Sequence, residues 1–308
     1  MIKYFIPPCL VLTVNMELSY DYPLYRPPSE ANSLIFQVTL GCSFNQCSFC
    51  DMYRSKKYVE RSWDEIKMEI DLSSKYYPET KRIFLADGDA LNLPTERLIQ
   101  ILEYIYKKFP SIERVSSYAM PKNLLQKTDY ELMNLKNAGL KMFYVGIESG
   151  NDVILRKVTK GATYKTILQS CKKAKEHGYI LSCMVILGLG GEKYTKEHID
   201  RTAEIISETS PDYVGALNLH LDEGMYKEFM AKFNESFTFL NDIQILDELE
   251  RLISNINSSS PIIFRANHAS NVYAVKGTLP NEKGKMLELI RQLKNHPEML
   301  KPKILRRF

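Results

Sequence analysis

From Ser33 onward, apolar and polar positions switch repeatedly between a two-residue and a 3.6-residue period. Short runs rich in β-branched and aromatic residues predict six strands: SLIFQVTL (33–40), RIFLA (82–86), RVSSYA (114–119), KMFYVGI (141–147), YILSCMVIL (179–187) and DYVGALNL (212–219). The stretches between them, 62–75, 95–109, 129–138, 163–177 and 196–208, carry helical spacing. Ser62 with Glu65, and Thr128 with Glu131, have the S/T-x-x-E order of a capping box, which satisfies otherwise unpaired first-turn amides. Ile167, Cys171 and Ala174 share one helical face, which makes Cys171 a core residue, and Gly178 is placed to end that helix.

Strands alternating with helices imply a parallel sheet joined by right-handed crossovers. Six such units fit either a doubly wound sheet or an incomplete barrel. The polar segments GCSFNQC, DGD, SSYA, ESGND, GLGGE and NLH each stand at the C-terminal end of one strand. Parallel α/β folds gather their sites at those ends, and six converging ends favour a barrel. The expected fold is α/β: a partial (β/α)6 TIM-like barrel with a C-terminal α/β extension. Residues 1–32, with five prolines, read as an extended lead-in, 33–220 as the core barrel, and 221–308 as an extension suited to a substrate or lid region.

Composition narrows the function classes. With 44% hydrophobic and 25% charged residues over 308 positions, the chain is globular rather than disordered. A net charge of +4 with interspersed signs gives no clear nucleic-acid signature. The first residues carry Lys3 but are interrupted by Pro7 and Pro8, so no secretion signal is expected; nor does any stretch approach the roughly 20 apolar residues of a membrane span. Three of six cysteines lie within nine residues while Cys9, Cys171 and Cys183 are dispersed, which favours a metal site in a reducing, cytoplasmic setting over a disulfide framework.

Cys42-x4-Cys47-x2-Cys50 puts three thiols in one loop, suited to zinc or an iron–sulfur cluster. A structural zinc site normally closes with four ligands. No second CxxC or histidine pair follows, and the nearest downstream histidine is His177. Three ligands suit a cubane that leaves one iron open. Phe49, just before the last cysteine, can screen such a cluster and flank a purine.

This motif resembles that of the radical S-adenosylmethionine (SAM) superfamily, whose Cx3Cx2C signature also carries an aromatic residue before its last cysteine; the first spacing here is one residue longer. The resemblance implies one 4Fe–4S cluster on Cys42, Cys47 and Cys50, with SAM as second cofactor. Asp87-Gly88-Asp89 resembles the segment that receives the amino group of SAM. YVGIESGND resembles the strand near its ribose, implying roles for Glu148 and Ser149, and Arg156 or Lys160 would meet the methionine carboxylate. MVILGLGG resembles the strand that meets adenine, through Ile186 and the Gly188 turn, and Ser117 joins the same cofactor-binding set. The resemblance covers about residues 33–220.

The implied activity is reductive cleavage of SAM to a 5′-deoxyadenosyl radical that abstracts hydrogen from an unidentified substrate. Such an enzyme is oxygen-sensitive and draws electrons from an external one-electron donor such as flavodoxin or ferredoxin. The dispersed remaining cysteines argue against a second cluster. In the C-terminal segment, which less specifically resembles proteins loosely related to oxygen-independent coproporphyrinogen oxidases, Arg265, Asn267, His268, Ser270 and Asn271 either contact substrate or form a loop that bonds its own turns. The rival to radical chemistry is a non-catalytic iron–sulfur electron-transfer protein or a zinc-binding protein.

Overall fold

The structure, a computed structural model, describes residues 20–306. The expectations about a secretion signal, Pro7, Pro8 and Cys9 lie outside that range. Ten strands occur among the described residues: β1 (Leu34–Gln37), β2 (Thr39–Leu40), β3 (Val59–Glu60), β4 (Arg82–Ala86), β5 (Arg114–Tyr118), β6 (Leu140–Glu148), β7 (Ile180–Leu187), β8 (Tyr213–Asn218), β9 (Ile262–Ala266) and β10 (Val275–Leu279). The helices are α1 (Trp63–Tyr76), α2 (Thr95–Lys108), α3 (Pro121–Gln126), α4 (Asp129–Asn137), α5 (Asp152–Lys157), α6 (Tyr164–Glu176), α7 (Gly191–Thr209), α8 (Glu223–Phe233), α9 (Asp242–Asn255) and α10 (Lys283–Asn295). Both expected capping boxes form, and Gly178 adopts the left-handed conformation just past α6.

The main sheet has eight strands in the order β1-β4-β5-β6-β7-β8-β9-β10, parallel until the antiparallel β10. Because the order never reverses, the sheet has no switch point of the doubly wound kind. It curves instead into an incomplete barrel, with no pairing between its first and last strands among the described residues. Side chains alternate across it. Ile83, Leu85, Phe143, Val145, Leu181 and Cys183 pack against the helices in the large core, whereas Ile35, Phe84, Ala86, Met142 and Tyr144 form a second cluster on the opposite face.

Three features refine or extend the sequence reading. The run 33–40 is not one strand: after Gln37 the chain leaves the sheet, and β2 pairs antiparallel with β3 to close the base of the cysteine loop. The C-terminal extension continues the same sheet through β9 and β10. Within the lead-in, residues 28–30 make a 3-10 turn that buries Glu30, whose carboxylate accepts from Ser33, Arg114 (2.7 Å), Ser116 (2.9 Å) and Tyr144 (2.5 Å). A buried carboxylate persists only with such partners. It ties the lead-in to β5 and β6 through Arg114, Ser116 and Tyr144.

Candidate active site

A cavity of about 170 Å³ opens at the C-terminal ends of β4 to β7, where a parallel barrel collects its functional loops. Its walls include all three loop cysteines, Phe49, Gly88, Glu148 and Lys160, and its far side is formed by Tyr118, Tyr144 and Met184. Burial raises all three thiols, carrying Cys50 to about 12 with the neighbouring Cys47 adding to the effect. They ionise when a cation supplies the missing charge. No three His, Cys, Asp or Glu side chains among the described residues converge as a single metal ion requires. A cubane spreads its thiolates over separate irons, and three thiols on the wall of one cavity fit such a group.

The loop is built from its base. Gly41, at φ +72°, turns the chain out of β2, and Asn45, at φ +44°, takes a second left-handed position that asparagine tolerates within the Cys42–Cys47 spacing. Asn45 also donates to the Tyr53 carbonyl (2.7 Å) across the loop. Asp87 holds the base together: its carboxylate accepts from Gln37 (3.0 Å), the Gly41 amide (3.0 Å) and Lys56 (2.9 Å). Gly88 packs so tightly that an added Cβ would lie 2.6 Å from the Tyr53 ring and 3.2 Å from Cys42 Cβ.

Opposite the loop, Glu148 ends β6 at φ +62°. A non-glycine side chain held in the left-handed region stores backbone strain of the kind that gathers at functional sites. Its carboxylate pairs with Lys160 Nζ at 2.9 Å, and Lys160 lies 5.8 Å from the centre of the Phe49 ring. Burial would lower the Lys160 ammonium, but Glu148 and then Cys47 outweigh it and hold it above its ordinary value.

Other residues singled out in the sequence do not line the cavity. Asp89 is buried, accepts from Ser43 and from Asn123 on α3, and is pushed up to about 6 by desolvation. Ser117 is buried with no partner for its hydroxyl among the described residues. Arg156 is exposed on α5. Ser149 bonds His198 on α7 (2.8 Å), and the other ring nitrogen of His198 meets the Ile186 carbonyl (3.0 Å). Because a carbonyl only accepts, Nε2 carries the proton and Nδ1 accepts from Ser149. Burial pushes His198 down to about 4, so the ring is neutral. The Gly188 amide donates to Glu248 on α9 at 2.6 Å.

The C-terminal polar run does not line the cavity either. Exposed Arg265 donates to the carbonyls of Phe264 (2.8 Å) and Gly277 (3.2 Å), and Asn267 is exposed. His268 contacts Ser270 (3.0 Å) and donates its amide to Asn271 (2.9 Å), while Asn271 donates to the Ala216 carbonyl (3.1 Å). This is the geometry of a loop that bonds its own turns and the end of β8.

A profile of the Radical SAM superfamily matches residues 36–206, more than half of the chain and the whole span from β2 to most of α7. The protein belongs to the radical SAM superfamily, and with it to a class of enzymes. It is 23% identical over 162 residues to the heme chaperone HemW of Bacillus subtilis (strain 168), covering 51% of this chain and 42% of that one. Its fold is similar to coproporphyrinogen III oxidase (HemN) from Escherichia coli, with TM-score 0.53 and 16% identity over 72% of this chain and 51% of that one. It is also similar to methylornithine synthase (PylB), with TM-score 0.51 and 16% identity over 72% and 62% of the two chains. The chain thus spans less than two thirds of the length of each.

Residues outside the sequence reading complete the site. Tyr118 and Tyr144 stand within SSYA and YVGIESGND, but nothing in those segments marks either ring as part of the cavity wall. Arg54 and Lys56 follow the cysteines directly, and that proximity was the available signal.

Proposed function

We propose that the protein holds one 4Fe–4S cluster on Cys42, Cys47 and Cys50, and uses it to cleave SAM and start hydrogen abstraction from an organic substrate. The observation that carries this reading is one cavity lined by three thiols and a Glu148–Lys160 ion pair. Together, cluster and SAM supply one-electron cleavage of a carbon–sulfur bond, yielding methionine and a 5′-deoxyadenosyl radical.

The chain's own residues bind and orient. A buried ion pair is a matched receptor for a ligand that brings both charges: Glu148 receives the methionine ammonium and Lys160 its carboxylate, so neither side chain is left buried and unpaired. Phe49 shields the purine side, and Gly88 leaves room beside Cys42. Tyr118, Tyr144 and Met184 close the far side against water, which preserves a reactive radical. An external one-electron donor such as flavodoxin or ferredoxin, in a cytoplasmic setting, supplies the electron; among the described residues no helix is long and apolar enough to cross a membrane.

Anaerobic reconstitution followed by iron and sulfide analysis tests the cluster. Wild type and Cys171→Ala should hold about four irons per chain, the content of one cubane, and replacement of Cys42, Cys47 or Cys50 by Ala should remove them. Lys160→Met should keep the iron and weaken SAM binding. A colourless zinc protein overturns the reading, and an iron–sulfur protein indifferent to SAM favours electron transfer.

A further inference from the structure

Arg54 lies four residues beyond the last cysteine, and its guanidinium turns back onto the cysteine loop. Nε donates to the Cys50 carbonyl (3.1 Å), Nη1 to the Asn45 carbonyl (2.7 Å) and Nη2 to the Cys47 carbonyl (2.6 Å). Two of those carbonyls belong to cysteines of the triplet. From the other side, Glu228 on α8 pairs with Nη2 at 3.0 Å. Lys232, one turn further along α8, bonds Glu228 (2.8 Å) and donates to the Gln46 carbonyl (2.7 Å). Four carbonyls of one short loop are therefore held by two cations, and the acid between those cations comes from the C-terminal extension.

We propose that Arg54 is a positioning residue of the metal centre, fixing the cysteine loop and biasing the cluster's potential, with Glu228 on α8 as the partner that offsets its charge. The inference rests on the cluster reading above. The planar fork of arginine can serve three carbonyls and a carboxylate at once, whereas an ammonium has three donors on a flexible stem. A guanidinium bound to the peptides of Cys47 and Cys50 also places fixed positive charge behind the thiolates. Positive charge near a cluster favours its more reduced, more negative state and raises the potential. Glu228 partly neutralises that charge, so Arg54 and Glu228 act on the potential in opposite directions.

The test uses the full chain, reconstituted anaerobically as wild type, Arg54→Gln, Arg54→Lys and Glu228→Gln. Two quantities are read: the rate of iron loss to excess EDTA, and the midpoint potential followed by the paramagnetic signal of the reduced cluster. Arg54→Gln should lose iron about 10- to 100-fold faster, the range for outer partners of metal ligands, and its potential should fall. Arg54→Lys should recover the potential, through its charge, but not the retention, which needs the fork. Glu228→Gln leaves the three carbonyl bonds in place, so it should keep its iron and shift the potential upward. Potentials that move the same way in Arg54→Gln and Glu228→Gln, or an Arg54→Gln protein equal to wild type in both readings, overturn the proposal while the cluster reading stands. A wild type that assembles no cluster overturns both.

Discussion

Gly146 offers the sharpest separation of cofactor binding from cluster assembly. It lies on β6 outside the left-handed region, so alanine is compatible with its backbone. The difficulty is space: a Cβ there would lie 1.9 Å from Glu148 Oε1 and 2.8 Å from Lys160 Nζ. With ordinary contact beginning at 3.4 Å, the carboxylate must retreat by 3.4 − 1.9 = 1.5 Å and the ammonium by 3.4 − 2.8 = 0.6 Å. Both atoms end flexible side chains, so the fold can relax, and the cost should lie near the low end of the roughly 1–3 kcal/mol typical of overpacking. In a chain of this size that lowers Tm only slightly, by about 1–2 °C per kcal/mol. The pair proposed to receive the two methionine charges, however, is displaced. Loss of one charge-assisted hydrogen bond, about 1.5–3 kcal/mol, weakens SAM about 10- to 150-fold at roughly 1.4 kcal/mol per decade. Anaerobic equilibrium dialysis with labelled SAM, beside iron analysis and a thermal melt, reads all three quantities. Gly146→Ala should keep its iron and nearly keep its Tm while losing SAM. Affinity within about twofold of wild type, against the fold-change worked above, would refute the assignment of Glu148 and Lys160.

At the cysteine loop, Gly88→Ala sets a Cβ 2.6 Å from the Tyr53 ring and 3.2 Å from Cys42 Cβ; iron content should fall while circular dichroism stays near wild type. Glu248, 2% exposed, is pushed from 4.5 to about 7 by burial despite bonds from Thr195 and Gly188. Its raised pKa means that, between those values, the folded state holds a proton that the unfolded chain has released, so this group's contribution to stability falls as pH rises from about 4.5 to 7. The loss should approach about 3 kcal/mol. Glu248→Gln should remove that slope in denaturant titrations across this window, and an unchanged difference between variant and wild type at both ends would contradict it. Buried His198 slopes the other way, since the unfolded chain takes up a proton that the folded ring refuses as pH falls from 6.5 towards about 4. Comparison of variant with wild type cancels that common contribution.

The barrel was legible because its strands and helices announce themselves by period, and because chemistry at strand ends is visible as polar punctuation. The break after Gln37 was not: SLIFQVTL is continuously β-prone, and the reason to leave the sheet is a partner at Val59–Glu60. Individual side-chain roles were the least legible. Glu148 and Ser149 are adjacent and both polar, yet the left-handed backbone at Glu148, where β6 ends, sends the two side chains different ways. Glu148 reaches the cavity, while Ser149 turns to His198 behind the sheet. Asp87 had the residue type suited to receiving an amine, but Gln37, Gly41 and Lys56 already converge on its carboxylate. Gly188 has the look of a ligand-facing turn, and its amide is taken by Glu248, sixty residues later. Such partners are set by tertiary contact and leave no local pattern.

The central claim is that this cavity cleaves SAM reductively, and its most direct measurement is 5′-deoxyadenosine. Wild type, reconstituted anaerobically with its iron and sulfide verified, is mixed with SAM and dithionite and followed by chromatography. The account predicts slow release of 5′-deoxyadenosine and methionine in equal amounts even without a substrate, with none from Cys50→Ala. A wild-type cluster that dithionite reduces, yet that yields no 5′-deoxyadenosine and binds no SAM, would contradict it.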